Sequence, residues 1–195
     1  MLDIFKLISA MNLLTINPSW DEIIQLRIQI RNLLLDYWLT ESLFSFNWWF
    51  LLSTSIFIFI IWLIVLDKKR IIEIITFGLL VGTITFILDL IGTTLVLWSY
   101  PDRIIPMVPP ILEIHKLHLP IIYMIVYQYF NTWKSFFLAT TISSFTFSFL
   151  LEPLTVWLGI YEIYHWKYIY SFPIYIFLGI TIRWALINVK EYEKR

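Results

Sequence analysis

Residues 48–66, WWFLLSTSIFIFIIWLIVL, carry no charge and stop at the cluster Asp67, Lys68, Lys69, Arg70. An apolar run of about 20 residues is the length of helix that crosses a hydrocarbon core about 30 Å thick. In that medium backbone polar groups must be satisfied internally, which leaves only helices and closed barrels. Further runs follow at about 71–98, 112–132, 136–160 and 172–189. Their lengths suit helices, and a barrel strand needs only about 10 residues. The fold class expected is all-α: a polytopic bundle of five transmembrane helices. Composition agrees, with 59% hydrophobic and 14% charged residues, where a soluble domain carries about a quarter charged.

The segment before the bundle, residues 1–46, reads differently. Its start, MLDIFKLISAMNLLTINPSW, carries Asp3 before its first lysine and offers no compelling small-residue cleavage site, so a cleaved signal peptide is not expected. Ser19 and Glu22 match a capping box and predict a helix over about 19–38. Asp21, Glu22, Gln25, Gln29, Asn32 and Asp36 share one arc of that helix, with Ile23, Ile24, Ile30, Leu33, Leu34 and Tyr37 opposite. Its charges argue against spanning, since each costs about 2.5–3.5 kcal/mol at a helix centre. An amphipathic interfacial helix is expected instead. Arg27 and Arg31 fall inside the apolar arc, either to snorkel to lipid phosphates or to cap an acidic group of the bundle.

Threading follows from the short loops. Lys68, Lys69 and Arg70 after span one, Lys134 after span three, and Lys190, Lys194 and Arg195 at the end all fall on one side. That predicts an outside N-terminus and a cytoplasmic C-terminus in a plasma membrane. Zero net charge gives no field for nucleic acid, and the absence of cysteine removes disulfides and thiolate metal sites.

Polar residues inside the runs carry the functional reading. Thr141, Ser144, Ser148, Glu152 and Thr155 share one face of span four; Gly78, Gly82, Thr85, Asp89 and Thr93 share one face of span two. The Gly78–Gly82 pair invites a close helix neighbour. Asp89 lies nine residues before Trp98, and Glu152 nine before Tyr161. At about 1.5 Å per residue both carboxylates sit roughly 13 Å inside the outer boundary. Arg183 of span five comes out some 5 Å deeper, within reach of its long side chain. Pro153, beside Glu152, removes a helical donor and should bend span four. Asp89, Glu152, Arg183, Ser148 and Thr93 are therefore expected to wall an outward-facing polar pocket. The alternative is a buried ion-pair lock of Asp89, Glu152 and Arg183 that only orders the helices.

In the outer link, Glu113, His115 and His118 resemble part of a metal site, but two histidines without a third strong ligand are weak evidence, so no metal and no cofactor is assigned. Phosphate-cradling loops, GxSxG and HExxH motifs are absent from the sequence.

The pieces LWSYP after Asp89, PIIYMIVYQYF, SFLLEPLTVWLGIYE and WKYIYSFPIY together resemble a family of small uncharacterised multi-span membrane proteins common in spore-forming Gram-positive bacteria. The resemblance covers a little under half of the chain and implies a bacterial plasma membrane and a five-span bundle. A fainter likeness to the membrane-embedded lycopene cyclase domain rests on PPILE, ending at Glu113, where the second adjacent acid of that motif is missing. The expectation is a membrane protein that binds or senses a small apolar or cationic ligand. The alternatives are an intramembrane enzyme on a lipid or isoprenoid-like substrate with Asp89 and Glu152 as acid and base, or a small transporter or structural subunit. The partners expected are the lipid bilayer, an apolar small molecule or lipid, and a second copy in a homo-oligomer.

Overall fold

The computed structural model describes residues 19–106 and 114–193. The chain divides into two units, at Tyr37/Trp38.

In the first unit, helix α1 (Trp20–Tyr37) starts on the capping box read from the sequence. The Glu22 carboxylate accepts from the Ser19 amide at 2.7 Å, and the Ser19 hydroxyl accepts from the Glu22 amide at 3.2 Å. None of its residues is buried. Arg27 is exposed, and Arg31 donates to the side chain of its neighbour Asn32.

The second unit is a helical bundle with one two-strand ribbon. Its helices are α2 (Phe46–Val65), α3 (Ile71–Thr94), α4 (Ile114–Tyr129), α5 (Trp133–Thr146), α6 (Glu152–Trp157) and α7 (Tyr168–Glu193). A π-helical turn, Phe147–Leu151, joins α5 to α6. Among the described residues four helical stretches are long and apolar enough to cross a membrane: Phe46–Val65, Lys68–Thr94, Trp133–Trp157 and Tyr168–Tyr192. Helix α4 is shorter, at 16 residues, yet it is central, packing on α2, α3 and α5, while α7 closes against α3 and α5.

The starts have local causes. Ser45 caps α2 by accepting from the Trp48 amide, and Thr132 caps α5 by accepting from the Ser135 amide. Close packing at α4 depends on small residues. A side chain at Gly78 would overlap the Met124 thioether, and one at Gly179 would crowd Thr140 and the Tyr123 ring. Phe77 of α3 stacks on Tyr127 of α4, at 4.3 Å between ring centroids, in a core shared with Trp62, Phe136, Leu178 and Ile182.

Two boundaries depart from the sequence expectation. Helix α3 ends at Thr94, four residues before Trp98, because Val96 takes a left-handed conformation (φ 53°) that turns the chain back. Strand β1 (Trp98–Ser99) then pairs antiparallel with β2 (Glu162–Ile163), closing a ribbon over one end of the bundle. Span four ends at Trp157 rather than near residue 160, with Gly159 (φ 74°) making the turn. The ribbon end is fastened to α2, where Asn47 donates to Asp102 and to the Leu158 carbonyl, and the Trp48 indole donates to the Ile104 carbonyl.

The Glu152-Pro153 pair is accommodated by the π turn. Proline removes a donor, and its ring would press on the carbonyl four residues back. The helix widens one turn earlier, so that the Glu152 amide reaches the Phe147 carbonyl, five residues back. Bulges of this kind re-aim side chains. Glu152, the residue that follows the bulge, is 1% exposed.

Candidate functional site

Asp89 and Glu152 each lie five residues before a helix end, at Thr94 and Trp157. Both face the ribbon end of the bundle interior, and both are buried. Oδ1 of Asp89 accepts from the Tyr100 hydroxyl at 2.6 Å and from the Trp98 indole at 3.0 Å. The backward turn at Val96 makes this geometry, folding Trp98 down over α3. Gly92 makes room for it, because a Cβ there would run into the six-membered ring of Trp98.

Glu152 is held by two neutral donors, the Tyr175 hydroxyl at 2.8 Å and the Ser171 hydroxyl at 3.1 Å, both from the first two turns of α7. Ser171 in turn accepts from the Trp166 indole at 2.9 Å. Trp166 meets Trp98 edge to face, with centroids 4.9 Å apart, and Tyr161 stacks on Tyr100 at 5.2 Å. The two acids thus belong to one aromatic assembly, Asp89 through Trp98 and Tyr100, and Glu152 through Ser171 and Trp166. Burial pushes the Tyr161 phenol well above its usual pKa, and the charges of Glu152 and Asp89 push it the same way.

Between these groups lies a cavity of about 160 Å³, lined by Asp89, Trp98, Tyr100, Tyr161, Trp166, Ser171 and Tyr175, with Leu88, Ile174 and Leu178 among its apolar walls. Apolar cavities of about 150 Å³ accept a molecule the size of benzene. Glu152 sits one layer behind the wall. No basic side chain pairs with it among the described residues.

Arg183 is elsewhere, and the expectation that it joins Asp89 and Glu152 is corrected. Helix α7 begins at Tyr168, four residues earlier than its apolar run suggests. Arg183 therefore lies 15 residues in, about 22 Å along the axis, and passes the carboxylates altogether. Its guanidinium donates to the carbonyls of Phe130 (2.6 Å) and Asn131, just beyond the end of α4, and lies 4.3 Å over the Phe136 ring. Ser148 is fully buried in the π turn that precedes Glu152 but does not line the cavity. Thr93 also stays out of it and hydrogen-bonds back to the Asp89 carbonyl at 2.8 Å.

The ion pair that orders helices is built on Glu73, to which the sequence reading gave no role, with Arg70 and Lys190, which it used only for threading. Glu73 of α3 accepts from Arg70 at 3.1 Å, from the Tyr127 hydroxyl at 2.5 Å, and from Lys190 of α7. Arg70 also reaches Asn131, and Gln128 bridges the Val65 carbonyl and the Asp67 amide. This network ties α2, α3, α4 and α7 together at the end opposite the ribbon. Its signal was present as an acidic residue three positions after a Lys-Lys-Arg cluster.

Of the outer-link candidates, Glu113 and the His115 side chain lie outside what the structure describes. His118 is buried on α4. No group of three or more acidic or histidine side chains among the described residues could hold a metal ion. Comparison of the chain with protein-family models, with characterised proteins and with solved structures gives no match.

Proposed function

We propose that the chain is a five-span bacterial plasma-membrane protein, with α1 at the interface and the ribbon end outside, that binds or senses a small organic cation in the Asp89 cavity. Helix α4, central but short, is the fifth span in this reading. Clustering of Lys68, Lys69, Arg70, Lys134 and Lys190 at the opposite end supports the orientation. The interfacial placement of α1 rests on its charged arc and unburied length.

The observation that carries the ligand class is Glu152. It is a buried carboxylate with two neutral donors and, among the described residues, no cation, one layer behind a cavity whose walls include indole and phenol rings. A carboxylate away from water is costly unless charge compensates it. Aromatic faces around a carboxylate are the environment that attracts quaternary or protonated amines. The ligand would bring the missing positive charge, shed its water against the rings, and fit the size of the cavity. Acid–base catalysis would need a reacting atom held between the two acids, and Glu152 sits behind Ser171 and Tyr175 instead, so binding is the better-supported reading.

Choline and its uncharged carbon isostere, dimethylbutanol, have the same shape and differ in charge. Choline should raise the melting temperature of the detergent-solubilised protein, the isostere should not, and Asp89→Asn should remove the shift. An equal response to both compounds, or to neither, would count against a cation site.

A further inference from the structure

A second cavity, of about 490 Å³, opens on another face of the bundle, between α2, α3 and α4. Its floor is the small-residue stripe Gly78 and Gly82 with Pro120 and Met124, and its rims include Phe59 and Phe86. Trp62 lines the end nearest the Lys68–Arg70 turn. This residue is 8% exposed, and its indole N–H has no acceptor among the described residues. A buried donor without an acceptor is expensive, and such groups call for a partner.

From Ile75 to Phe86 the groove runs about 16 Å along α3, roughly half the thickness of a hydrocarbon core. That is the depth of one leaflet. Trp62 is three residues from the end of α2, and the last turn of a spanning helix is where hydrocarbon gives way to the ester region. The link between the two helices that flank the groove then presents Lys68 and Lys69, both exposed and without an ion pair among the described residues. Arg70, next to them, is already committed to Glu73.

We propose that this groove is a binding site for one anionic phospholipid of the leaflet on the Lys68–Arg70 side. One acyl chain lies along Gly78 and Gly82, its ester carbonyl accepts from the Trp62 indole, and its phosphate faces Lys68 and Lys69. The site is independent of the Asp89 cavity and stands whether or not that cavity binds a cation.

Native mass spectrometry of the full chain, incubated with phosphatidylglycerol and phosphatidylcholine of identical acyl chains, tests it. The wild type should retain one phosphatidylglycerol in preference. Trp62→Phe keeps the ring and loses the donor, and should lower retention of both lipids about fivefold, the weight of one neutral hydrogen bond. Lys68→Gln with Lys69→Gln should erase the preference between the lipids and leave phosphatidylcholine unchanged. Gly82→Leu should displace both. Gly82→Ala, whose Cβ would sit an ordinary 3.5 Å from Pro120, keeps the fold and fills less of the groove, so its loss should be smaller. Equal retention of the two lipids by the wild type, or retention indifferent to Trp62→Phe and to both Gly82 variants, would overturn the proposal. So would a dimer that Gly82→Leu dissolves, since the groove would then hold a second copy.

Discussion

The two ends of the bundle each hold carboxylate, half-buried at one end and buried at the other, and treat it in opposite ways. At the end with the Lys68–Arg70 turn, Glu73 is met by Arg70, Lys190 and Tyr127, and Arg183 closes the neighbouring end of α4. Rings fill the space around them, with Tyr127, Trp133 and Phe136 packed against the Arg183 guanidinium. At the ribbon end, Asp89 and Glu152 are met by indole and hydroxyl donors around an open cavity. The first arrangement has its counter-charges built in and serves to hold helices. The second has donors, rings and space, and among the described residues no cation pairs with Glu152. A charged residue inside a span is thus informative through its company.

That contrast can be broken by substitution. The largest loss of stability should come from Arg183→Ala, which leaves the Phe130 and Asn131 carbonyls without their charged donor and should cost about 3 kcal/mol in detergent unfolding. Gly92→Ala should follow at about 2 kcal/mol, because the added methyl expels the Trp98 ring, and it should also end ligand binding. Glu73→Gln should cost about 1–2 kcal/mol, kept low because Lys190 is 43% exposed and solvent screens it. The smallest effect on stability, under about 1 kcal/mol, is expected of Glu152→Gln, which keeps an acceptor for Tyr175 and changes only the charge behind the cavity wall. A large unfolding effect of Glu152→Gln would turn the ribbon end into a second lock.

Much of the architecture is legible in the sequence because hydrocarbon permits few alternatives. The apolar runs mark the long helices, the Ser19–Glu22 spacing marks the start of α1, and Gly78 with Gly82 marks the close approach of α4. The buried faces that carry Asp89 and Glu152 are marked by the polar residues recurring at helical spacing on spans two and four. The errors arise where backbone leaves regular geometry. Val96 in a left-handed conformation turns Trp98 from the expected marker of the outer boundary into a hydrogen-bond donor to Asp89. The early start of α7 carries Arg183 past the acids and brings Ser171 and Tyr175 to Glu152. Neither is written in hydropathy, since Tyr168 and Ser171 read as interface. Glu73 reads as an interruption of an apolar run because its partners Tyr127 and Lys190 are 54 and 117 positions away.

The most direct test compares choline affinity and detergent stability in Asp89→Asn and Glu73→Gln, measured side by side on the full chain. A division of labour between the ends predicts that Asp89→Asn keeps its stability within about 1 kcal/mol and loses choline binding at least tenfold, whereas Glu73→Gln is destabilised and binds choline as the wild type does. Asp89→Asn that unfolds, or that binds choline unchanged, would contradict it.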